Sequence, residues 1–72
     1  MKVKVKFHTL YDHCDREITV IVDFGDDICK LASFVTYVNE KDVFMVKRFL
    51  SDRQRARIVG YVRNISVVKF IN

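Results

Sequence analysis

The C-terminal run Gly60-Tyr61-Val62-Arg63-Asn64-Ile65-Ser66-Val67-Val68-Lys69-Phe70-Ile71 narrows the choice of fold more than any other stretch. β-Branched and aromatic side chains fill it, with one polar break at Arg63-Asn64, so it reads as extended chain. The bias holds throughout. Valine, isoleucine, phenylalanine and tyrosine dominate the apolar set, alanine occurs twice, leucine three times and proline never. The expectation is a mainly β fold. Lys2, Lys4 and Lys6 alternate with Val3, Val5 and Phe7, the period of a half-buried strand. Glu17 to Phe24 repeats the pattern, with Ile18, Val20 and Val22 on one face and Thr19, Ile21 and Asp23 on the other. Gly25-Asp26-Asp27 then signals a turn.

Two segments are less regular. Residues 8–16 break the alternation and read as a turn or a short helix. Residues 28–39 fit two templates. Ile28, Leu31, Ala32, Val35 and Val38 make a helical stripe that Asp26 or Asp27 would cap. Against it, Phe34-Val35-Thr36-Tyr37-Val38 crowds the preceding turn of a helix. The strand reading is preferred, and an α+β fold with a helix at about 27–39 is the alternative. On the strand reading Asn39–Asp42 is a hairpin turn, Val43–Leu50 a strand and Ser51–Gln54 a polar turn. Arg55–Val62 and Ile65–Ile71 are the closing strands. Five or more short strands with tight turns predict a small barrel.

The chain has 72 residues, one domain spanning 1–72. Such a domain buries only about 60% of its extended surface, so its core is marginal alone, and small domains often compensate with a disulfide, a metal or a partner copy. Its start lacks the apolar run of a signal peptide, and no stretch approaches the ~20 apolar residues of a membrane span. A soluble, cytoplasmic protein with reduced Cys14 and Cys29 is expected, without membrane contact. His8, His13, Cys14 and Cys29 have no ligand spacing, so no metal or cofactor is assigned. No Cys–His catalytic arrangement is evident, so the expectation is no enzyme and no small-molecule substrate. Oligomerisation is the remaining staple. A net charge of +4 favours an acidic partner such as nucleic acid.

The order and spacing of several segments resemble the Sm and Sm-like family. Leu10–Val20 is similar to the end of that family's N-terminal helix and its first strand, and Phe24-Gly25-Asp26 falls at its Asn-Gly turn. Lys30–Phe34 looks like its second strand. Tyr37-Val38-Asn39 falls in its first motif, and Val62-Arg63 opens its second. The sequence departs from the pattern at Cys29 and Asn64, where the family has glycine, and at Val35, where it has aspartate. The resemblance implies a strongly bent, five-stranded, SH3-like open barrel behind a short N-terminal helix or turn. It implies a homo-oligomeric ring, a hexamer or heptamer, that binds single-stranded, U-rich RNA as scaffold or chaperone. Tyr37 would stack on a base, Asn39 would read its edge, Arg63 would stack or meet phosphate, and Asn64 would add a hydrogen bond.

Each of these residues has a plainer role open to it. Tyr37 suits a core, Asn39 a turn, and Arg63 an ion pair. Arg53, Arg55 and Arg57 alternate, so an extended chain would line them up as phosphate contacts. A solvated hairpin tip is the plainer and preferred explanation. Lys2, Lys4 and Lys6 would touch RNA or guard an edge strand. The competing reading of the whole is a small protein-interaction module or inhibitor, of viral or plasmid type, without RNA binding.

Overall fold

The computed structural model describes residues 1–72. Lys2–Tyr11 (β1) and Cys14–Asp23 (β2) form an antiparallel hairpin that closes with Tyr11 opposite Cys14. The alternation of β1 therefore runs on through His8, Thr9, Leu10 and Tyr11. The turn residues Asp12 and His13 have φ of 52° and 65°, the double left-handed geometry of a type I′ turn. Glycine is usual there, but Asp and His also tolerate it.

At the far end of β2, the Asp23 carboxylate accepts from the Gly25 N–H at 2.9 Å, and the Met1 ammonium donates to the Gly25 carbonyl at 2.6 Å. Asp27 then caps helix α1, Ile28–Asn39, accepting from the Lys30 N–H at 3.0 Å. Lys41, at φ 59°, ends it: the Lys41 N–H returns to the Val38 carbonyl and the Asp42 N–H to the Tyr37 carbonyl, both at 3.0 Å. This is a Schellman closure with lysine in the usual glycine place. The Asp42 side chain caps α2, Val43–Lys47, and Ser51 with Gln54 forms a capping box on α3, Asp52–Arg57. Gly60, at φ 80°, leads into β3, Tyr61–Ile71. A Cβ on Gly60 would overlap the Leu10 carbonyl oxygen, so only glycine fits.

The sheet order is β2-β1-β3, and β3 is antiparallel to β1. The first strand in sequence is thus the central one. All three helices belong to the connection from β2 to β3, and they cover one face. Val3, Val5, Phe7, Val20, Val22 and Ile65 project from the sheet, and Phe34, Val38, Val46, Leu50 and Ile58 close over them. Phe24, Phe34, Phe49 and Tyr37 form a chain of rings with centroids 5.1–6.2 Å apart.

The fold is therefore a small α+β sandwich of one open three-stranded sheet and three short helices, and the five-stranded barrel is overturned. The decisive segment is 28–39. Poor helix formers cost up to ~0.7 kcal/mol each, whereas burying Phe34 and Val38 returns ~1.5–3 kcal/mol apiece. Leu31, Phe34 and Val38, spaced by three and four, form the buried face, while Ile28 stays 65% exposed. The alternative helix at 27–39 is the one the chain adopts. Val43–Leu50, expected as a strand, begins with α2, and Ser51–Gln54, expected as a turn, holds the cap and first residues of α3. Arg55–Val62 is split between the end of α3, a loop and the start of β3. The expected break at Arg63-Asn64 is present as a register shift between His8 and Thr9 of β1, which leaves Arg63 as the extra residue of a bulge.

Candidate functional site: the uncovered sheet face

With the helices on one side, even-numbered residues of β1 face away from them. Lys2, Lys4, Lys6, His8 and Leu10 form a central column. Asp23, Ile21, Thr19, Glu17 and Asp15 flank it on β2, and Ile71, Lys69, Ser66, Asn64 and Tyr61 flank it on β3. Cationic side chains thus occupy β1 and β3, and carboxylates occupy β2.

The charges are unevenly matched. Glu17 approaches Lys6 at 3.7 Å and His8 at 3.6 Å. Arg63 Nη1 donates to Asp15 Oδ1 at 3.0 Å, reaching from β3 over β1 to β2. Lys4 and Lys69 lie directly opposite one another, and neither they nor Lys2 has a carboxylate within 4.0 Å. Like charges facing across a strand pair are destabilising. At the hairpin end, His8, Asp15, Arg63 and Asn64 line a recess of about 290 Å³. Tyr61, 72% exposed, lies next along β3 on the same face.

The residues singled out from the sequence are divided by this arrangement. Arg63 and Asn64 stand on the open face and share the recess. Tyr37 and Asn39 are on α1, behind the sheet; Tyr37 packs against the core with its ring 6.2 Å from that of Phe49, and Asn39 is the last residue of the helix. The four do not converge on one pocket. The arginines of α3 do not form a row either, because residues two apart on a helix point apart. Arg53 and Arg57 share a side. Arg55 is turned back, donating to the Leu50 carbonyl at 3.2 Å and pairing with Asp52. Cys14 and Cys29 are free and exposed.

From the sequence, His8 stood out only as a candidate metal ligand, and Asp15, Lys69 and Tyr61 not at all. Once Asp12-His13 is taken as a two-residue turn, the register puts His8 and Asp15 on the lysine face, so the signal was there. Lys69 and Tyr61 depended on β3 lying beside β1, which no local pattern reveals.

A second concavity, about 720 Å³, lies on the helix side between the end of β2, α1 and α2. Phe24, Tyr37, Met45 and Phe49 contribute apolar surface, and Asp23, Asp27, Lys30 and Arg48 also line it. No helix of the chain is long and apolar enough to cross a membrane.

Fold and surface together define a small α+β domain with one bare, charged sheet face. Comparison with known protein families, curated proteins and solved structures finds no match to this chain.

Proposed function

We propose that this chain is a non-enzymatic binding module that lays its uncovered sheet face along single-stranded RNA. The observation that carries this reading is the column Lys2, Lys4 and Lys6 with Lys69 beside it, three of the four without a carboxylate partner. Residues two apart on a strand stand ~6.6–6.8 Å apart, so the column offers a regular track of positive charge to a phosphate backbone. A bound phosphate relieves the Lys4–Lys69 repulsion, which nothing within the chain does. The exposed Tyr61 ring and the polar recess favour a single strand over a duplex, because only unstacked bases reach such groups.

The ring and the uridine preference do not enter this reading. The ring belonged to the barrel, and the uridine pocket to a convergence of Tyr37, Asn39 and Arg63 that is absent.

Fluorescence anisotropy with labelled decauridine, titrated at several salt concentrations, tests the proposal. The slope of log K against log salt is about −0.7 per phosphate contacted, so Lys4→Ser with Lys69→Ser is expected to flatten it by about 1.4. No binding at low salt, or an unchanged slope in the double variant, sinks the reading. The aromatic groove between α1, α2 and β2 favours a second reading, a protein-interaction module. That reading leads if the oligonucleotide fails to bind.

A further inference from the structure

We infer that the recess at the hairpin end of the open face receives one guanine base from the bound strand; this deepens the RNA reading and rests on it. The argument starts from what the walls can donate and accept. Asp15 as a carboxylate only accepts, and Arg63 only donates. Their contact is single, Arg63 Nη1 to Asp15 Oδ1 at 3.0 Å. It leaves the second carboxylate oxygen and the other guanidinium N–H groups open. Both side chains are more than half exposed, and ion pairs of that kind are worth only ~0–1 kcal/mol. Little stability is lost when a base re-forms the pair around itself.

An acceptor-only group beside a donor-only group selects among bases. Guanine carries two adjacent donors, the N1–H and the exocyclic amino group, with the acceptors O6 and N7 next to them. A carboxylate takes the two donors as a fork, and a guanidinium takes O6 and N7. Uracil places its one imino N–H between two carbonyl oxygens, which a carboxylate repels. Adenine and cytosine each set one amino group beside a bare ring nitrogen, so the fork closes on a single donor. Asn64, which donates and accepts, and His8 complete the walls. Tyr61, outside the recess on the same face, offers a ring for stacking.

The backbone supports this placement. The bulge in β3 makes Arg63 an extra residue, and its guanidinium reaches across β1. Bulges commonly re-aim a side chain in this way. The lysine column ends at Lys6, one same-face position before His8, so a strand held on the lysines presents its next base at the recess.

Four labelled decanucleotides test the inference: decauridine, and the same chain with a central guanosine, adenosine or cytidine. The guanosine oligomer is expected to bind about tenfold tighter than the others. Asp15→Asn is expected to abolish that preference, bringing the guanosine oligomer level with the other three, with circular dichroism confirming the fold. As a measurement on the unaltered chain, guanosine monophosphate is expected to displace the labelled guanosine oligomer at lower concentration than uridine monophosphate. Equal affinities for all four, or a preference that survives Asp15→Asn, overturn the guanine site and leave the RNA reading standing. No binding by any oligomer overturns both.

Discussion

At the residue scale the chain carries two local liabilities, each with a measurable remedy. Thr9 is fully buried on the helix-facing side of β1, and its hydroxyl has no hydrogen-bond partner. An unpaired buried polar group costs ~1–3 kcal/mol. Thr9→Val keeps the branched shape and removes the hydroxyl, and is expected to raise stability by about 1 kcal/mol in urea melts. An unchanged midpoint would mean that the hydroxyl is satisfied in solution. His13 holds the second left-handed position of the hairpin turn. Left-handed backbone costs most side chains ~1–2 kcal/mol, and His13→Gly removes that cost. About 1 kcal/mol in a domain of this size corresponds to a Tm gain of ~4–8 °C. A lower Tm would show that the imidazole makes a contact worth more than the strain.

At the scale of elements, the junctions explain how a chain of β-forming residues builds three helices. Asp27, Asp42 and Ser51 each cap a helix, and Lys41 closes α1 with a left-handed residue. Lys41 also ties two layers together, its ammonium donating to the Ile65 carbonyl of β3 at 2.5 Å. On the other edge, Gln54 of α3 donates to the Ile21 carbonyl of β2 at 2.9 Å. Each outer strand thus has a carbonyl occupied by the helix layer, one means of blunting an exposed edge. Lys41→Met keeps the aliphatic stem and is expected to cost about 1 kcal/mol by thermal melting, since a net hydrogen bond is worth ~0.5–1.5 kcal/mol. No change would assign the lysine to the helix terminus alone. These junctions also mark how far the sequence can be read. β1 as far as Phe7 and β2 from Glu17 were legible through their period of two and most of β3 through its β-branched runs, whereas residues 8–16, read as a turn or short helix, belong mostly to the two hairpin strands. The cap at Asp27 was legible as well, but α1 was misread because crowding within Phe34–Val38 is a local penalty and the burial that outweighs it is tertiary. Arg63 and Asn64 stood out through the family's second motif, and the structure places them together at the recess of the open face. Tyr37 and Asn39 were misplaced with the helix that carries them.

At the scale of the whole molecule, one thin aromatic seam carries much of the stability. Domains of this length have in total ~4–11 kcal/mol. Phe34 touches both Phe24 and Phe49 and is fully buried. Phe34→Ala is expected to cost ~3–5 kcal/mol, enough to leave a substantial unfolded population at 37 °C by circular dichroism. A variant as cooperative and stable as the parent would place the core elsewhere. The order in which the strands pair has a further consequence. The hairpin of β1 and β2 can close early and locally, but β1 must then wait, with its other edge bare, for a partner beginning fifty residues further along. In that interval the chain is a sticky half-sheet, and everything between has to compact before β3 can zip in. Slow, topology-limited folding and a tendency to aggregate when β3 is delayed or damaged are built into this architecture.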